Sequence, residues 1–254
     1  MPVRPTILVF ILLLFTRLTF GQGVPPATVQ QSSLWFQALT TLRVDEHWSI
    51  PIEIQVRRAK IGRTWQQAQV RTGLARDLNA HFTFGAGYSF SHGWPYGKQP
   101  AVTPTYEHRI YEQLVGKHLA GRIPIEHRVR FEQRWLERID PESGHQLGDL
   151  IYTNRIRYKA GLNLPLTQVN PSRKDIGPGD TFLFITEEAM ANFGKNVQRN
   201  TFDQNRFATG IGHNFSRGSI QVGYLHQYLQ KADGVRHESN HNITVGLTYN
   251  ISLR

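Results

Sequence analysis

From Asn242 to the C-terminal Arg254, apolar and polar positions alternate without a break. Ile243, Val245, Leu247, Tyr249, Ile251 and Leu253 are separated by Thr244, Gly246, Thr248, Asn250 and Ser252. Successive side chains of a strand point to opposite faces, so the run predicts a strand with one wholly apolar face. It exceeds the usual strand of about 5–6 residues and meets the about 9–11 residues a tilted strand needs to cross a bilayer.

The same period recurs upstream. Trp48, Ile50, Ile52, Ile54 and Val56 alternate with Glu53, Gln55 and Arg57, and Ala68, Val70, Thr72 and Leu74 with Gln67, Gln69, Arg71 and Gly73. Phe82, Phe84, Ala86, Tyr88 and Phe90 alternate with His81, Thr83, Gly85, Gly87 and Ser89. Further strands are expected at 33–43, 105–115, 123–138, 151–162, 181–188 and 202–215, with a tenth from Ile220 to Tyr228. The phase at 181–188 is unclear, which suggests a bulge. Short turns follow the first, third, fifth and ninth strands, and longer connections follow the second, fourth, sixth, eighth and tenth. That asymmetry is typical of outer-membrane barrels.

Eleven strands are countable. Because single-chain bacterial barrels have even numbers, one more is expected in the lead-in 23–32. The prediction is an all-β, antiparallel up-and-down transmembrane barrel of 12 strands, with 10 as the alternative. The rival is a periplasmic β-sandwich, whose strands also alternate.

The N-terminus sharpens the location. Arg4, the apolar run from Ile7 to Phe15 and Thr19-Phe20-Gly21 read as a secretory signal over 1–21, leaving a barrel domain over 22–254. No stretch approaches the 18 apolar residues of a transmembrane helix. Cysteine is absent, so neither disulfides nor a lipid-anchor cysteine are available. The net charge of +10 is spread through the strands and forms no tail, which argues against nucleic acid as a partner. The hydrophobic fraction of 39% suits a barrel, in which only alternate residues meet lipid.

Several residue groups resemble one bacterial family. They are Glu107-His108-Arg109 with Glu112-Gln113, His127-Arg128 with Arg130-Phe131-Glu132, and Arg155-Ile156-Arg157-Tyr158. Glu188 with Asn192-Phe193-Gly194, Asp203-Gln204-Asn205-Arg206 and Asn240-His241 fit as well. The family is known as domain of unknown function 2490, and the resemblance runs from about Trp35 to the end. It implies an outer-membrane-type barrel of a Gram-negative bacterium and no particular activity.

Two constellations carry candidate chemistry. On a barrel the polar face looks into the lumen, which gathers Glu53, Arg57, Arg71, Glu107, Arg109, Arg128, Arg130, Glu132, Arg134, Arg155, Arg157 and Arg206 there. Such a ladder either fills and stiffens a narrow barrel, each charge needing a partner, or lines an anion-preferring passage. The second is Gly234-Val235-Arg236-His237-Glu238-Ser239-Asn240. It resembles the G-x-x-H-x-S-N-G signature of outer-membrane phospholipase A, with His241 in place of the last Gly. There His237 and Ser239 would be base and nucleophile. The supporting Tyr-Thr-Gln signature of that enzyme is missing, and a motif needs its structural context.

The expectation is therefore a non-enzymatic outer-membrane barrel, with a His237/Ser239 lipid hydrolase and a periplasmic binding protein as alternatives. The expected partners are outer-membrane lipid and the barrel-assembly machinery, with no nucleic acid and no specific ligand named. No cofactor and no metal are expected, since the eleven histidines show no ligand spacing.

Overall fold

The computed structural model describes residues 27–140, 142–167, 170 and 175–253. The signal expected over 1–21 lies outside them. The described chain forms eleven strands: β1 (Ala27–Arg43), β2 (Trp48–Arg58), β3 (Thr64–Asp77), β4 (Phe82–Gly93), β5 (Thr105–Ala120), β6 (Ile123–Ile139), β7 (Gln146–Thr167), β8 (Thr181–Phe193), β9 (Phe202–Phe215), β10 (Gly218–Gln230) and β11 (Arg236–Ser252). Each pairs with its sequence neighbours, and the ring closes between β1 and β11. This overturns the β-sandwich, which needs two stacked sheets.

The strand number corrects the expectation of 12 or 10. In an up-and-down ring, an odd count makes the first and last strands run in the same direction. Here β1 and β11 pair in parallel from Ala27↔Arg236 to Arg43↔Ser252, while every other pair is antiparallel. The even-number rule assumes antiparallel closure, and this barrel closes without it. Residues 27–32 hold no extra strand, because they prolong β1 backward.

The pattern sets the faces. Ile54, Val70, Val222 and Ile211 stand outside with 51%, 50%, 52% and 55% of their surface exposed, whereas Arg130, Glu132, Arg155 and Asn240 are buried inside. The molecule is thus inside-out relative to a soluble protein, in which large exposed apolar patches are rare.

Short turns 44–47, 78–81, 121–122 and 216–217 lie at one end, and longer connections 59–63, 94–104, 140–145, 194–201 and 231–235 at the other. The exception is 168–180, the longest connection, which follows β7 at the short-turn end. Asp45, Asn79 and Asp233 each accept two backbone N–H bonds from residues two and three positions on, the Asx arrangement that stabilises turns. Between β2 and β3, Ala59–Gly62 makes one left-handed turn, with φ of 51° at Lys60 and 50° at Ile61.

Candidate functional site

The lumen nearer the long connections is packed with charge. All twelve residues of the expected ladder sit on inward positions, and eleven of them make ion pairs. Arg71 Nη1 donates to Glu53 at 2.7 Å. Glu107 accepts from Arg109 at 2.6 Å and from Arg134 at 2.5 Å. Glu132 is the hub, with Arg155 at 2.5 Å, Arg157 at 2.8 Å and Arg130 at 3.9 Å. Arg128 and Arg206 both turn to Glu188, at 2.8 Å and 3.6 Å. The pairs at 2.5–2.8 Å are hydrogen-bonded and of the strong kind, because desolvation raises the electrostatic energy of each contact.

Arg57 differs. Among the described residues its guanidinium donates only to Gln55 Oε1, at 3.1 and 2.6 Å, and lies 3.9 Å from the centre of the Trp35 ring.

The ladder also contains groups the sequence reading left out. Glu188 binds Arg157 at 2.8 Å, and Asp203 binds Arg155 at 2.8 Å. Both stood among the family-like residues. Glu188 is unreadable because β8 carries Phe182, Phe184 and Met190 on its inward face and so shows no clean alternation, and Asp203 because on β9 it shares the odd-numbered positions of the outward Phe207 and Ile211. The expected irregularity in β8 lies later than foreseen, as a register shift at Met190/Ala191 against β9.

Below the ladder the filling is apolar. Phe182, Phe184 and Ala208 form a buried cluster with Ile176 and Leu225. Lumen glycines make room for the rings. A Cβ at Gly212 would lie 2.3 Å from the Phe182 ring, and one at Gly87 would lie 2.7 Å from the Tyr111 hydroxyl. This cluster separates two cavities. One of about 440 Å³ lies among the charges, with Phe184, Ala208 and Leu225 in its wall. The other, about 730 Å³, lies beside Ile176, Asn214 and Thr248.

The second constellation lies on the outer wall. Residues 236–241 extend β11 upstream of the alternating run from Asn242, and His237, Ser239 and His241 alternate outward. Sequence reading missed this extension because both faces there are polar. His237 does not serve Ser239. Its Nδ1 lies 2.7 Å from the Tyr228 hydroxyl. Ser239 Oγ instead lies 2.9 Å from His226 Nε2 on β10. The Tyr224 hydroxyl meets His241 Nδ1 at 2.6 Å. A serine–imidazole contact is the minimum of a nucleophile–base pair, but among the described residues no carboxylate or amide holds the other nitrogen of His226. Nor do the described residues include a group of three or more side chains able to hold a metal ion.

A family model described as "Protein of unknown function (DUF2490)" matches residues 32–250. No curated protein and no solved structure matches the chain.

Proposed function

The chain belongs to the DUF2490 family, and on that premise we propose that it is a non-enzymatic outer-membrane β-barrel protein of a Gram-negative bacterium, its lumen occluded by a buried ion-pair network. One observation carries the reading: a closed ring of eleven strands with apolar side chains outside and charges inside. A lipid bilayer satisfies that outer surface, and closure leaves no unpaired strand edge in hydrocarbon. The network and the apolar cluster beneath it favour a structural barrel over an open anion passage, since rings of arginine conduct only where solvated. The cleaved signal over 1–21 and the assembly machinery belong to the same proposal.

The test is fractionation followed by electrophoresis. The mature protein should accompany the outer membrane and migrate differently before and after boiling, as closed barrels do because they have no edge from which to unravel. Recovery as a soluble periplasmic protein would overturn the reading.

A second reading is a lipid-directed hydrolase. It is favoured only by the 2.9 Å contact between Ser239 and His226 on the outer wall, and its nucleophile–base pair is Ser239 with His226, not with His237.

A further inference from the structure

The lumen network does not balance. The 440 Å³ cavity is lined by nine basic and four acidic side chains, an excess of five positive charges. The carboxylates are already shared: Glu132 and Glu188 each serve three arginines, and Glu107 serves two. Among the described residues, two cations of the cavity wall have no carboxylate within ion-pair distance. They are Arg57, held only by Gln55 and the Trp35 ring, and Lys159. A third, Arg206, reaches Glu188 only at 3.6 Å, donates its Nε–H to Gln204 Oε1 at 3.0 Å and lies 5.2 Å from the same Trp35 ring.

Burying cations without counter-charge is costly unless something supplies it. We propose that the cavity is a binding site for a soluble, multiply charged oxyanion, a molecule bearing phosphate, sulfate or carboxylate groups, held at the wall formed by Arg57, Arg206 and Trp35. The volume falls within the usual range of ligand sites, roughly 300–1,000 Å³. The charged wall rejects a lipid tail, and its place inside the barrel leaves a solute as the source. Phe184 and Ala208 floor the cavity, while Trp94, Tyr96 and Ala101 of the 94–104 connection line its other part. The site therefore faces the long-connection end. It makes the barrel a receptor for the anion, not a conduit.

The inference rests on the outer-membrane barrel reading, so the experiment first checks that the full mature chain refolds in detergent with a heat-modifiable mobility. Failure there counts against the barrel. Folded protein is then titrated with pyrophosphate, and with chloride at matched ionic strength, following thermal midpoint and calorimetric heat. A ligand that binds only the folded state raises the midpoint in a concentration-dependent way. The expected result is a saturable rise with pyrophosphate that chloride does not reproduce. Arg57→Gln should weaken pyrophosphate binding by about tenfold or more, the scale of one charge-assisted hydrogen bond. It should leave the ligand-free midpoint unchanged or higher, because Arg57 has no carboxylate to orphan. Should that variant fail to fold, Arg206→Gln makes the same comparison. Absence of saturable heat, an equal effect of chloride, or unchanged affinity in the folded variant would each overturn the site.

Discussion

Glu132 and Arg155 are register partners on β6 and β7, and their side chains meet inside the barrel at 2.5 Å. Glu132 is 1% exposed and also carries Arg157 and Arg130. Removing its charge leaves three guanidinium groups with less acid than before, in a lumen already rich in positive charge. Arg155 keeps Asp203 and Arg157 keeps Glu188, whereas Arg130 is left with the neutral Gln113 amide and the Tyr111 ring. Breaking a buried pair by deleting one partner costs about 3–5 kcal/mol. Glu132→Gln should therefore lower the thermal midpoint markedly, and the wild-type barrel should show little conductance in a planar bilayer. Unchanged stability together with anion-selective current would mean that the arginines are solvated and that the lumen is a pore.

How much of this was legible in the sequence depended on how polar each face is. Strands with one apolar and one polar face, such as β2, β6 and the end of β11, declared both their existence and their direction. That alternation places the ladder residues of β2, β3, β6 and β7 on the inward face. The pattern failed where both faces share a character. At 236–241 both are polar, so no alternation marks the strand there; at 182–190 the inward face turns apolar, so Glu188 has no readable phase. The choice of His237 as partner to Ser239 failed for another reason. Period two states which residues share a face, but the nearest neighbours on a sheet come from the adjacent strand, and only the β10–β11 register brings His226 to Ser239. Strand parity was misjudged because a count cannot show whether closure is parallel.

The serine on the outer wall offers a direct comparison of chemistry with chance. Ser239 touches His226 at 2.9 Å, yet among the described residues no carboxylate or amide holds the other nitrogen of that imidazole, and a base held in the wrong tautomer loses most of its effect. The refolded protein should release no fatty acid from phospholipid vesicles with calcium present, and Ser239→Ala should match the wild type. Hydrolysis by the wild type that vanishes in a folded Ser239→Ala barrel would instead establish the enzyme reading.

The connection between β10 and β11 makes a prediction about pH. Burial would raise the Asp233 carboxyl, but the backbone N–H and guanidinium of Arg236 and the N–H of Val235 outweigh it and hold the group at about 2, below its ordinary 3.8. A depressed carboxyl pKa adds stability that is fully present above the unfolded value and disappears as pH falls through the folded one. The turn should therefore keep its geometry at mildly acid pH and loosen only near pH 2. A carboxyl carbon resonance of Asp233 titrating near 2 in the micelle-bound protein is the expected result, and a midpoint near 3.8 would mean the turn is not formed.

Gly212 and Phe182 test whether the lower lumen is filled as tightly as the structure shows. Phe182 is 2% exposed, and the three atoms nearest to a Cβ built at Gly212 all belong to its ring, at 2.3, 2.6 and 2.9 Å. Overpacking of this kind costs about 1–3 kcal/mol, so Gly212→Ala should destabilise the barrel by that amount. The clash is with a side chain only, and shortening that side chain should relieve it. In a Phe182→Leu background the added methyl should cost less than about 0.5 kcal/mol, which makes the two substitutions strongly coupled in the sense of a double-mutant cycle. Gly210 supplies the contrast. Its Cβ would meet the Phe184 ring at 2.8 Å, but also the Val222 carbonyl oxygen at 2.3 Å and the Gly223 Cα at 2.4 Å. Those are backbone atoms of the paired strand, which no shortening of Phe184 can move. Gly210→Ala should remain destabilising in a Phe184→Leu background, while Gly212→Ala is rescued in its own. Equal rescue at both sites, or at neither, would mean that the rings do not occupy the lumen against these glycines, and that the space beneath the ion-pair network is open.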